Sequence, residues 1–202
     1  MSGGKRLKLG VLASGGGSNL QSIIDRSLDG SLGAEVVVVI SNNSGAGALA
    51  RARTHEIPNV HISTATEGSR EGEDRRIADE LVRRSVDLVV LAGYMKRVGP
   101  VVLDAFRGRI INIHPALLPR FGGEGMYGMR VHEAVIAAHE TESGPTVHIV
   151  DERYDHGRIL AQKKVPVLPG DTPETLQKRV LTVEHEIFPE TIRIMAETWG
   201  ND

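Results

Sequence analysis

Leu7-Lys8-Leu9-Gly10-Val11-Leu12-Ala13-Ser14-Gly15-Gly16-Gly17-Ser18-Asn19-Leu20-Gln21 runs from an apolar stretch, through a glycine cluster, into a segment whose apolar residues recur at Leu20, Ile23, Ile24 and Leu28. Leu7 to Ala13 has the composition of a short strand, and the later spacing is that of one helix face. A strand turning on glycine into a helix is the opening unit of a parallel α/β sheet. The turn also has a chemical implication. N–H groups at a helix N-terminus lack partners within the helix and lie at the positive end of its dipole, and glycine lets an anion reach them. Gly16, Gly17, Ser18 and Asn19 are the candidates, the alternative being a tight turn capped by Ser18. Neither a Walker-type lysine nor the glycine spacing of a dinucleotide fingerprint is present, which favours a monophosphate over ATP or NAD.

Outward from this unit the rhythm repeats. Glu35 to Ile40 is nearly continuous valine, as a strand buried on both faces would be, and Ser41-Asn42-Asn43-Ser44-Gly45 closes it. The pattern predicts a helix from about Gly47 to His55, a weak strand at Val60–Ser63 and a charged, mostly solvated helix over Ser69–Arg84 with Ile77, Leu81 and Val82 at helical spacing. Strands follow at Val86–Ala92 and Arg109–Ile113, with a short helix opened by Pro100 between them. Beyond the glycine-rich stretch Phe121 to Gly128, a helix is expected from Arg130 to about His139, then a hairpin of Thr146–Val150 and Arg158–Val167. Thr172-Pro173-Glu174 starts a long terminal helix. The expected fold is α/β: a Rossmann-like, open, mostly parallel sheet with helices on both faces and an antiparallel C-terminal hairpin. No repeat or linker is visible, so residues 1–202 read as one domain.

Bulk properties narrow the functions. A net charge of -2 gives no general attraction to nucleic acid or membrane, and 3% aromatic residues leave little for a base-stacking surface. No cysteine is present, which excludes disulfides and thiolate metal sites and fits the cytoplasm. Met1 to Leu9 is polar and basic and the apolar run after it stops at Ser14, a pattern of neither a signal peptide nor a spanning helix.

Chemistry concentrates in Ile110-Ile111-Asn112-Ile113-His114-Pro115-Ala116-Leu117-Leu118-Pro119. Side chains at i and i+2 of a strand share a face, so Asn112 and His114 emerge together where the prolines end pairing. Asn112 offers a hydrogen bond to an oxyanion and His114 a group that exchanges protons near neutral pH. Asp155 is the candidate third member: a carboxylate beside the imidazole is expected to raise its pKa and favour the imidazolium. The rivals rank lower, His148 because it lies within a strand, His132 and His185 because they lie on helices, His156 because it sits in a turn. No His-Glu-x-x-His pattern occurs, so no metal is expected.

Four blocks, Ser14 to Gln21, Leu91-Ala92-Gly93-Tyr94-Met95, Ile111 to Pro119, and Val183-Glu184-His185-Glu186-Ile187-Phe188-Pro189, together resemble the phosphoribosylglycinamide formyltransferases, folate-dependent enzymes of purine synthesis, over essentially the whole chain. The Asn-x-His-Pro block alone is shared with methionyl-tRNA formyltransferases and formyltetrahydrofolate deformylases. The resemblance implies transfer of the formyl group of 10-formyltetrahydrofolate to the amine of 5-phosphoribosylglycinamide, with no metal, by a monomer or homodimer. It implies that Gly17, Ser18 and Asn19 hold the phosphate and Glu184 the ribose; that Arg70, Met95, Lys96, Arg97, Val98 and Asn112 line the folate site; and that Asn112, His114 and Asp155 form the catalytic group. It also implies a division of the one domain into a phosphate-binding N-terminal half and a folate and catalytic C-terminal half. Lys96-Arg97 stands where better-known members carry one arginine and an apolar residue. Competing readings are a 10-formyltetrahydrofolate hydrolase, with water replacing the amine, and a non-catalytic nucleotide-binding module.

Overall fold

The computed structural model describes residues 6–199. Its strands are β1 (Leu7–Leu12), β2 (Ala34–Ser41), β3 (Asn59–His61), β4 (Leu88–Leu91), β5 (Ile110–His114), β6 (Glu142–Ser143), β7 (Thr146–Ile149), β8 (Ile159–Gln162) and β9 (Val165–Pro166). The helices are α1 (Ser18–Leu28), α2 (Gly47–Thr54), α3 (Thr64–Glu67), α4 (Arg70–Arg83), α5 (Pro100–Ala105), α6 (Met129–Ala137) and α7 (Pro173–Thr198). Seven strands form one sheet in the order β3-β2-β1-β4-β5-β7-β8. The first five are parallel, whereas β7 runs antiparallel to β5 and β8 antiparallel to β7.

The continuous apolar strands are explained by cover on both faces. Along β2 and β4 neighbouring residues split between two cores: Val39 and Val90 join Leu9, Val11 and Ile111 under α1, α2 and α7, while Val38 and Val89 join Leu12, Ile40 and Ile110 under α4 and α5. Side chains of alternating direction make both faces of such a sheet apolar. A smaller cluster, Val135, Val165, Leu176 and Val180, seats α6 against α7.

Two local expectations are revised. The run Arg158–Val167 is not one strand. Its partner β7 begins only at Thr146, after Pro145, which has no N–H to offer a ladder. Past Gln162 the chain leaves the sheet, and Val165–Pro166 pairs with Glu142–Ser143 in a separate two-stranded sheet. The single turn α3 was not anticipated; Ser63 caps it reciprocally with Thr66. The long terminal helix starts as its Thr-Pro-Glu opening implies, with the Thr172 side chain accepting the Thr175 N–H.

Candidate active site

Parallel strands of an open sheet end together, and the crevice beyond their carboxyl ends is where such folds hold ligands. Here that crevice is a cavity of about 680 Å³, lined by Gly15 to Asn19 and Glu184, by Met95 to Val98, and by Val150 and Asp151. Asn112, His114, His148 and Asp155 line the same cavity.

At the glycine end, Gly17 takes a left-handed conformation, φ 74°, as the residue before α1, which has no side-chain cap. A side chain there would put Cβ 2.8 Å from the Ala48 Cα, so the turn presses against α2. Asn19 is buried, and its Nδ2 donates to Glu184 Oε2 at 2.6 Å. Burial raises the Glu184 carboxyl pKa, and the Asn19 hydrogen bond opposes that rise in part. The Asn19 Oδ1 is buried without a partner.

At the sheet end the strand alternation does what the sequence anticipated. Ile111 and Ile113 point into the core under α1 and α7, and Asn112 and His114 share the opposite face. The antiparallel register sets His148 opposite Asn112 and Thr146 opposite His114. Asn112 Nδ2 lies 3.1 Å from His148 Nε2, and His148 Nδ1 donates to the Ile149 carbonyl at 2.9 Å. His148 Nε2 thus faces both the Asn112 amide and, 3.5 Å away, the Asp155 carboxylate. Thr146 is tied below: its hydroxyl donates to the Ala116 carbonyl at 2.6 Å and accepts from the Leu118 N–H at 3.1 Å, which folds the Pro115–Pro119 turn back over β7.

Asp155 comes from the loop between β7 and β8, in a left-handed conformation of φ 53°. Its Oδ2 accepts the Gly123 N–H at 2.9 Å and lies 3.5 Å from His114 Nδ1, while Oδ1 lies 3.5 Å from His148 Nε2. The carboxylate thus faces two imidazoles. Its pKa is lowered: the bonds and charges of His148, His114 and Gly123 together outweigh burial, the largest single influence.

The expected direction for His114 is reversed. Burial is the largest influence on its ring and lowers the pKa below the ordinary 6.5; Asp155 and the Phe121 carbonyl, which takes the Nε2 proton at 2.7 Å, oppose it but do not win. The ring at rest is neutral, with Nδ1 free to accept a proton toward Asp155. The low rank given to His148 is also corrected. A strand position does not hide a side chain when the partner strand places it on the site's face. His132 lines the cavity too, buried, with its pKa lowered to about 4 by burial and then by His114. His185 is held low by burial, and His156 is exposed beside Asp151.

Of the other positions implied by resemblance, Met95, Lys96, Arg97 and Val98 line the cavity, whereas Arg70 is exposed at the start of α4 and does not. Lys96 Nζ turns to Glu73 and Thr64 at 3.4 Å. Arg97 lies over the Tyr154 ring and donates to the Glu152 carbonyl at 2.5 Å. Tyr127, Arg130 and Tyr154 are lining residues that no sequence motif marked. Among the described residues no group of His, Asp or Glu could hold a metal ion, and no helix is long and apolar enough to cross a membrane.

The sequence profile described as Formyl transferase matches residues 7–192. The chain belongs to the formyl transferase family. Within that family it is 46% identical to a protein of Vigna unguiculata named phosphoribosylglycinamide formyltransferase, chloroplastic, over 98% of this chain and 64% of that one. It is 40% identical to the phosphoribosylglycinamide formyltransferase of Haemophilus influenzae, over 94% and 87% of the two chains. The crystal structure of glycinamide ribonucleotide transformylase 1 from Symbiobacterium toebii superposes with a TM-score of 0.91 at 41% identity, covering 98% of this chain and 93% of that one. The chain thus spans less than two thirds of its plant relative and nearly all of the bacterial structure.

Proposed function

We propose that this formyl transferase moves a formyl group from 10-formyltetrahydrofolate to the amine of 5-phosphoribosylglycinamide, as a single cytoplasmic domain acting on small molecules as a monomer or homodimer. The observation that carries the reading is that one cavity is lined by an anion-suited glycine turn with a buried carboxylate, an Asn-His-Asp group and a partly apolar wall. The phosphate is assigned to the N–H groups of Gly17, Ser18 and Asn19, and the ribose hydroxyls to Glu184. The co-substrate is assigned to the wall of Met95 to Val98, with Asn112 beside its formyl group. Arg70, outside the cavity lining, would reach only a part of the co-substrate that extends beyond it.

Attack by the amine forms an N–C bond at the formyl carbon, charges the formyl oxygen and leaves an extra proton on the amine. Asn112 donates a hydrogen bond to that oxygen. His114, neutral at rest, takes the amine's proton on Nδ1, and Asp155 stabilises the imidazolium that forms. The same proton returns to the departing nitrogen as the C–N bond breaks, so the chain ends in its starting protonation state. No nucleophilic side chain is needed, because the amine is the nucleophile.

Incubation with 10-formyltetrahydrofolate, with and without 5-phosphoribosylglycinamide, tests this. The expected result is loss of the formyl donor only when the amine is present. Loss independent of the amine assigns a hydrolase, and no loss in either arm leaves the nucleotide-binding module.

A further inference from the structure

Arg51 on α2 lies behind the glycine turn and has no part in the chemistry above. Its Nε donates to the Gly16 carbonyl at 2.8 Å, and its Nη1 donates to Gln21 Oε1 on α1 at 3.0 Å. Three residues earlier on the same helix, the Ala48 N–H donates to the Gly15 carbonyl at 3.1 Å. Two successive carbonyls of the turn are therefore drawn toward α2. In a trans peptide the C=O and the following N–H point in opposite directions. Fixing the carbonyls of Gly15 and Gly16 on α2 turns the N–H groups of Gly16 and Gly17 away from it, on the side where these residues line the cavity. Neither N–H meets a protein acceptor among the described residues.

The contact is tight on both sides. A Cβ at Gly47 would lie 2.9 Å from the Gly16 carbonyl oxygen, so helix and turn touch through bare backbone. Gln21 is oriented in turn, its Nε2 donating to Asp25 at 2.8 Å and lying 3.0 Å from His55 Nε2, which leaves Oε1 for Arg51. Arg51 joins α1, α2 and the turn through a fixed fork of donors, a geometry that lysine, with one terminal ammonium, does not reproduce. Its charge adds to the positive potential of the α1 N-terminus on the same side of the sheet.

We propose that Arg51 is a positioning residue for the phosphate of the ribonucleotide: by holding the Gly16 carbonyl it aims the Gly17 N–H at the anion, without touching the anion itself. The proposal rests on the reading of the glycine turn as the phosphate site.

The test uses the full chain, labelled with ¹⁵N and titrated with inorganic phosphate and with 5-phosphoribosylglycinamide, in the wild type, Arg51→Gln and Arg51→Lys. In the wild type the Gly16 and Gly17 amide resonances are expected to move on titration. In Arg51→Gln the dissociation constant for phosphate and the KM for the ribonucleotide are expected to rise about tenfold, the scale of one charge-assisted hydrogen bond. The KM for 10-formyltetrahydrofolate is expected to stay unchanged, and Arg51→Lys to recover only part of the loss. Unchanged phosphate affinity in Arg51→Gln overturns the role of Arg51 alone. A parallel rise in both KM values together with a lower melting temperature also overturns it, by assigning Arg51 to general stability. A wild type whose Gly16 and Gly17 resonances ignore both ligands overturns the phosphate site itself, and with it this proposal.

Discussion

His114 shows how burial and charge compete at one residue. The carboxylate of Asp155 favours a charged ring, yet the ring is nearly closed off from solvent and burial is the stronger influence, so its pKa falls below 6.5. A base that must be neutral to accept a proton gains activity as pH rises through its pKa. The acidic limb of kcat is therefore expected below pH 6.5. Asp155→Asn removes the group that favours the imidazolium, so the limb should move to still lower pH while kcat drops about a hundredfold or more. A pH profile of kcat for both proteins checks this, and an unmoved limb would separate Asp155 from His114. Asn112 and His114 were legible in the sequence because a two-residue period fixes a shared face. His148 was not, because its place beside Asn112 depends on which strand pairs with β5, and that is a long-range fact. Nor was the His114 pKa, since burial belongs to the folded surroundings and not to neighbours along the chain.

Elements, rather than single side chains, set the glycine turn. Gly17 has a positive φ and its missing Cβ is the space in which α2 lies. Gly17→Ala is expected to cost about 2 kcal/mol or more, from the left-handed backbone alone about 1–2 kcal/mol and the rest from displacing α2. Chemical denaturation measures the first effect, and a raised KM for the ribonucleotide reads the second. Unchanged stability would mean that the turn adapts without α2. The strand, turn and helix order here was legible from Leu7 to Gln21. The neighbour that makes the glycine necessary was not, because Ala48 comes from the next crossover unit. The same limit applies to β9, where the run Arg158–Val167 read as one hairpin strand and the length of its partner decided otherwise.

Across the whole molecule, buried histidines tie stability to acidity. His132 is held near pKa 4 against an ordinary 6.5, so between these values the unfolded chain binds a proton that the folded one refuses. Stability from this group is complete above about pH 6.5 and is lost as pH falls toward 4, by about 3 kcal/mol in all. Glu184 acts in the opposite sense, since its raised pKa favours the protonated folded form. Denaturation midpoints of the wild type and His132→Gln at pH 7.5, 5.5 and 4 isolate the histidine: the variant should lose less stability over that range, and parallel curves would exclude it. The parallel sheet itself was legible from the alternation of apolar and helical segments, because each crossover must cover both faces. Its continuation by β7 and β8 has a last consequence. The two halves of the Asn112–His148 pair are aligned by the hydrogen-bond ladder between β5 and β7, and the number of residues between His114 and Thr146 does not enter that alignment. A one-residue deletion within β7 would exchange the faces of Val147 and His148, whereas the stretch 115–145 can lengthen or shorten at its exposed points and leave the pair in register. Only those exposed points are thus free to diversify, because the Phe121 carbonyl and the Gly123 N–H of the same excursion hold His114 and Asp155.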